Sequence, residues 1–218
     1  MSRDLAGGYQ DKDPGYFDNP RADYVQDLPD NPQARILELG CGAGATGALA
    51  LSRGKCGVYV GVELVPEQAA LAADRLTAVH VGAIEDVDLP YAPGSFDALI
   101  CSEVLEHLVD PEAVVARLVR LLRPGALVFA SSPNISHHVI IRSLISGRFD
   151  YADQGAMDRT HLRWFTPRSF RRLFEGAGVA VDRLAPVNQR ALLPRLAGRG
   201  PLSHLTWAQI DLRGRRLP

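Results

Sequence analysis

Glu38 stands two residues before Gly40, and the run continues with Gly42 and Gly44. Glycines at such spacing let backbone approach a ligand closely. The helix expected to follow offers unpaired N–H donors at its start. Gly42, Gly44 and Gly47 also satisfy the spacing GxGxxG, which by itself points to a dinucleotide. Glu38 argues against one. A pyrophosphate held there would set like charges together, costing ~4 kcal/mol at about 4 Å and an effective dielectric near 20. A cationic ligand gains from the same carboxylate. Further along, Glu63 can accept both hydroxyls of an adenosine ribose.

These residues need a scaffold that brings them to one edge. Short apolar runs at 34–39, 57–63, 78–82, 96–101 and 126–131 predict strands. Helical patterns at 45–52, 66–75 and 113–122 alternate with them, the last stopped by Pro124-Gly125. Such alternation predicts a parallel sheet covered on both faces. Two further strand-like stretches, 179–184 and 207–212, have no crossover helix between them. They are expected to pair antiparallel at the sheet edge. Residues 1–30 are rich in Asp, Pro, Gly and Tyr and predict an irregular arm or lid, leaving 31–218 as one domain.

The composition limits the partners. The chain has 218 residues, 46% hydrophobic and 22% charged, within the range of an ordinary globular domain. Its 24 basic and 25 acidic residues give a net charge of −1, so no global field draws nucleic acid. No stretch approaches the ~20 apolar residues of a membrane span, and the N-terminus lacks a signal-like apolar core. Cys41, Cys56 and Cys101 show neither disulfide-scaffold nor zinc spacing. A cytoplasmic protein without nucleic-acid or membrane partners, and without a metal ligand set, is expected.

Glu38-Leu-Gly-Cys-Gly-Ala-Gly44 resembles motif I of the class I S-adenosylmethionine-dependent methyltransferases. The resemblance continues through Val62-Glu63, Leu89 to Asp97, Val104-Leu-Glu-His-Leu108 and Leu121 to Gly125. Five motifs in order cover roughly 31–180. S-adenosyl-L-methionine carries a sulfonium and an ammonium group and no phosphate, in keeping with Glu38. The resemblance implies an α/β, Rossmann-like, doubly wound seven-stranded sheet of order 3-2-1-4-5-7-6, strand 7 antiparallel. It implies that Gly40, Cys41, Gly42 and Gly44 approach the methionine moiety, with Glu38 acting through bound groups. It places the ribose on Glu63 and Leu64, adenine on Ile84 and Glu85, and Cys101 and Ser102 near the methionine portion. Tyr16, in the arm, would fold over the cofactor. Ala83 stands where many relatives carry Asp, which leaves the adenine amino group to Glu85 or a backbone carbonyl.

Two histidines are placed to act on a methyl acceptor: His107 after the fourth strand, and His161 in Asp158-Arg-Thr-His-Leu-Arg-Trp-Phe-Thr166. Histidine titrates near neutral pH and could take a hydroxyl proton. Either could instead be structural, as are His80 and His204 on this reading. His137 and His138 open a helical part of a long insertion, 134–166, whose length predicts a substrate lid. Arg159 and Arg163 could bind a carboxylate or phosphate, or pair on the surface. The arm and the Arg-Thr-His loop are also similar to bacterial methyltransferases of sugar and natural-product pathways. The expected activity is O-methylation of a polar small molecule. N- or C-methylation, a non-catalytic accessory subunit, and a dinucleotide oxidoreductase are the alternatives. Oligomeric state is left open.

Overall fold

A computed structural model describes residues 18–187 and 202–218. Seven strands form one sheet in the order β3-β2-β1-β4-β5-β7-β6. They are β1 (Arg35–Leu39), β2 (Val58–Glu63), β3 (Ala78–Val81), β4 (Phe96–Ser102), β5 (Leu122–Pro133), β6 (Val179–Val187) and β7 (Gln209–Arg216). The first five pair in parallel, and β7 lies antiparallel to both β5 and β6. This is the order the resemblance implied. The two C-terminal strands pair antiparallel as expected, with β6 on the edge.

The central strands are nearly continuous apolar runs because helices cover both faces. On one face, α4 (Pro111–Leu121) and α6 (Pro167–Gly176) bury Val115, Leu118, Phe170 and Phe174 against Leu37, Leu99 and Val128. On the other, α1 (Ala22–Asp27), α2 (Ala45–Ser52) and α3 (Pro66–Ala73) bury Tyr24, Ala50 and Ala72 against Ile36, Tyr59 and Ile100. Helix starts are fixed chemically. Asp110 accepts from the Ala113 N–H ahead of Pro111, and Thr166 forms a capping box with Ser169.

Two expectations change. Residues 22–27, inside the expected irregular arm, form α1, because Tyr24 and Val25 find a buried face beside α2. Pro124-Gly125 does not stop α4. The helix ends at Leu121, and β5 begins at Leu122 and passes through Pro-Gly by a register shift against β4. Pro is tolerated there because the shift leaves no ladder bond for its missing N–H. In the 134–166 insertion the helix, α5 (His138–Ile145), buries none of its residues. No helix among the described residues is long and apolar enough to cross a membrane.

Candidate active site

A cavity of about 1080 Å³ opens over the carboxyl ends of β1, β2 and β4 and is walled by the β6–β7 hairpin. Ligands bind at this edge of an open α/β sheet. The space exceeds the ~300–1,000 Å³ of typical small-molecule sites, enough for two ligands side by side.

One end is built from the glycine turn. Gly40, Cys41 and Gly42 line the cavity, as do Glu38, Glu63 and Leu64. Gly40 has φ +70°, and a Cβ there would come within 2.9 Å of the Val104 side chain. Glu38 is buried and accepts a 2.9 Å hydrogen bond from the Tyr59 hydroxyl. Burial pushes its carboxyl up to about 7, against the pull of the Tyr59 and Thr46 hydrogen bonds. A bound cation would restore the ionised form. Glu63 accepts from the Gly42 N–H at 2.8 Å through one oxygen and from the Val65 N–H at 2.9 Å through the other. Each carboxylate oxygen can accept a second hydrogen bond, so two ribose hydroxyls can be added without breaking either bond. Ile84 and Glu85 also line this end, with Glu85 anchored by the Val109 N–H at 3.1 Å. These residues fit an adenosine carrying a cationic, phosphate-free tail.

Several expected residues fall elsewhere. Gly44 does not line the cavity. It begins α2 at φ +83°, and a Cβ would press on Ala72 at 3.1 Å. Gly47, the last glycine of the apparent GxGxxG, lies against Tyr59 and Leu76, so its spacing reflects packing. Cys101 turns into the core beside Leu99, since alternation along β4 sends Ser102 to the cavity and Cys101 away from it. Burial pushes the Cys41 and Cys101 thiols up, away from thiolate chemistry. Tyr16 lies outside the described residues, although Asn19, Pro20 and Arg21 of the same arm reach the cavity wall.

Arg21 is a site residue that the sequence reading missed. Its guanidinium donates to Ser102 and Ser131 at 2.7 and 2.8 Å, pairs with Asp23 at 2.9 Å and lies 3.6 Å over the Tyr24 ring. The arm is thereby tied to the tip of β4. An arginine followed by a helix-forming segment was the available signal, obscured by the Pro- and Asp-rich surroundings.

The other end of the cavity is lined by Glu103, His107, Arg159, Thr160 and Leu162. Glu103 has φ +51°, a left-handed conformation costly for a side-chain-bearing residue. His161 does not line the cavity; it is buried just behind His107, ring centroids 4.8 Å apart. The His107 Nδ1 lies 3.3 Å from the Thr160 carbonyl, and the His161 Nδ1 3.2 Å from the Ala156 carbonyl. Glu106 is buried, accepts from the Ser132 hydroxyl at 3.0 Å, and is pushed well up by burial and by the Glu103 charge. Glu106, His107 and His161 meet in space because the Leu162 and Arg163 N–H groups both donate to the Glu106 carbonyl. Arg163 is spent on the carbonyls of Leu162 and Val109. Arg159 reaches the cavity and pairs with Asp153. Phe165 is core against Phe170, whereas Trp164 joins Phe149 and Tyr151 nearer the surface. His80 bonds the Tyr91 hydroxyl at 2.9 Å, a structural role as expected.

Residues 16–184 match the family model described as a methyltransferase domain. The chain is a class I S-adenosylmethionine-dependent methyltransferase. It is 34% identical over 215 residues to the ubiquinone biosynthesis O-methyltransferase of Xylella fastidiosa, covering 87% of this chain and 80% of that one. The methyltransferase of Haloferax volcanii in complex with the Trm112 activator is 17% identical, with TM-score 0.67 and coverage of 98% and 95%. A methyltransferase from Mesorhizobium loti is 18% identical, with TM-score 0.63 and coverage of 89% and 96%. Both structures share the fold of this methyltransferase. Its cofactor is S-adenosyl-L-methionine and the product S-adenosyl-L-homocysteine.

Proposed function

We propose that this methyltransferase acts on a hydroxyl oxygen of a small molecule held at the His107 end of the cavity. The cofactor supplies an electrophilic methyl group on sulfur. Glu38 would face its cationic tail and Glu63 its ribose, with Ile84 and Glu85 beside adenine. The residues of the arm, including Tyr16, would cover it. Ser102, oriented by Arg21, stands between the two ends. The observation that carries the reading is His107 on the cavity wall with Glu106 and His161 behind it. An acceptor hydroxyl must lose a proton, and this group is placed to take or stabilise it. An amine or thiolate acceptor would not need it. The ubiquinone biosynthesis O-methyltransferases among the relatives support oxygen as the acceptor atom. Holding acceptor and methyl in line supplies much of the remaining rate, up to ~7–11 kcal/mol as effective molarity.

The wall near the hairpin adds Arg183, Gln209 and Arg213, suiting a polar acceptor. Arg213 itself is engaged by Asp211, Asp27 and Asp23. Residues 134–166 would act as the lid over this end. The test is methyl transfer from isotopically labelled cofactor to paired acceptors that differ only in carrying a hydroxyl or an amine. Label on oxygen supports the reading. Label on nitrogen with none on oxygen replaces it by N-methylation.

A further inference from the structure

The β6–β7 hairpin carries a bulge where it walls the cavity. Val181 stands opposite Gly214, but Arg183 stands opposite Arg213, so Asp182 and Arg183 together face one residue of β7. In unbroken register Asp182 would face Arg213, and Arg183 would turn to the side of buried Leu212. The bulge instead brings Arg183 to the cavity wall, on the strand face that carries Gln209, Asp211 and Arg213. We propose that Arg183 receives an oxyanion, a carboxylate or phosphate group, carried by the methyl acceptor. This deepens the hydroxyl-acceptor reading and rests on it for the reaction.

The local arrangement is unfavourable until an anion arrives. Directly opposite residues of an antiparallel pair share a face, and like charges there repel. Regular pairing would have set an aspartate against Arg213 in place of a second arginine. Asp182 pairs with Arg215 at 3.2 Å instead, both of them exposed. Bulges occur beside active sites, where they re-aim a side chain.

The neighbouring acids are committed to other arginines. Arg213 pairs with Asp23, Asp27 and Asp211. Arg21 pairs with Asp23 and approaches Asp211 at 3.8 Å. The Arg183 charge also acts on Asp211, yet its exposed guanidinium has no ion pair of its own among the described residues. A guanidinium presents a fork of N–H donors that matches a carboxylate or a phosphate. Gln209, on the same face, donates to Glu103 at 2.9 Å, which joins the hairpin wall to the turn leading to His107. An acceptor can therefore rest its oxyanion on Arg183 and present its hydroxyl toward His107. Arg159 is a second arginine on the wall. Its pair with Asp153 at 3.3 Å is exposed on both sides and so contributes little, which makes Arg159 the competing candidate.

The test titrates three ring-matched probes into the full chain saturated with S-adenosylhomocysteine. They are para-hydroxyphenylacetate, its neutral amide and para-hydroxyphenyl phosphate. At least one anion should bind ~10–100-fold more tightly than the amide, and which one it is separates a carboxylate from a phosphate. Arg183→Gln should remove that preference and Arg183→Lys should restore part of it. Both variants should keep the wild-type unfolding midpoint and the wild-type affinity for S-adenosylhomocysteine. No preference for either anion in the wild type overturns the subsite, as does a preference that survives Arg183→Gln and falls with Arg159→Ala. Weakened S-adenosylhomocysteine binding in folded Arg183→Gln assigns the arginine to the cofactor's own carboxylate and overturns it too. An anion preference that depends on Arg183, in a protein that methylates only amines, supports the subsite and overturns the hydroxyl reading.

Discussion

The two ends of the cavity are built differently. At the glycine turn, Glu38 and Glu63 sit on the ends of buried neighbouring strands, and the hydrogen bonds that orient them come from adjacent strand or turn backbone and from Tyr59. At the other end, Glu106 and His107 sit on a short 3-10 turn, and His161 arrives from a segment beyond β5. The first end is preformed by the sheet. The second is assembled by tertiary contacts between that turn and the later segment. Binding of the cofactor and activation of the acceptor should therefore separate under mutation.

The largest expected effect is on turnover. His107→Ala should lower kcat by ~10²–10⁴-fold with affinity for S-adenosylhomocysteine changed by less than about threefold. Steady-state assays beside calorimetry check this, and a parallel loss of affinity would join the two ends. Next, Glu63→Ala removes the carboxyl acceptor of the Gly42 and Val65 N–H groups and of the ribose. At ~1.5–3 kcal/mol per charged hydrogen bond, loss of even one ribose bond should lower affinity for the cofactor ~10–100-fold.

Gly47→Ala acts on the scaffold under the first end. The added methyl would lie 2.3 Å from Leu76 and 2.6 Å from the Tyr59 ring. Overpacking of this kind costs ~1–3 kcal/mol, measurable by denaturant unfolding. By contrast, Ile145→Asp, at a side chain 82% exposed, should change stability by no more than ~0.5 kcal/mol.

Acidity provides a gentler probe. With its carboxyl at about 7 in the free protein, Glu38 is ionised above that pH and neutral below. Affinity for the cationic cofactor should hold steady above pH 7 and fall by up to tenfold per pH unit below it. The sign for folding is opposite. A carboxyl raised by burial contributes stability that is present below its unfolded pKa and lost as pH rises through about 7. The thermal shift produced by S-adenosylhomocysteine should accordingly be larger at pH 8 than at pH 6.

The same contrast explains what the sequence made legible. Glu38, the glycines and Glu63 lie at the ends of apolar runs, so local pattern alone carried them to one sheet edge. Gly44 and Gly47 looked equally ligand-directed, since spacing cannot tell a glycine under a ligand from one under Leu76. Cys101 was misplaced by one residue of strand alternation. The 3-10 turn and the 134–166 segment carry no common periodicity, so nothing local joined Glu106 and His107 to His161. Arg21 was hidden in a stretch whose prolines and aspartates suggested no order, and only Tyr24 packing on Phe129 reveals why it folds.

The most direct test of this division is calorimetric titration of S-adenosylhomocysteine into the wild type, Glu63→Ala and Glu106→Gln. Binding weakened ~10–100-fold or more in Glu63→Ala and kept in Glu106→Gln is the predicted result. Binding kept in Glu63→Ala and lost in Glu106→Gln would contradict it and place the cofactor at the other end of the cavity.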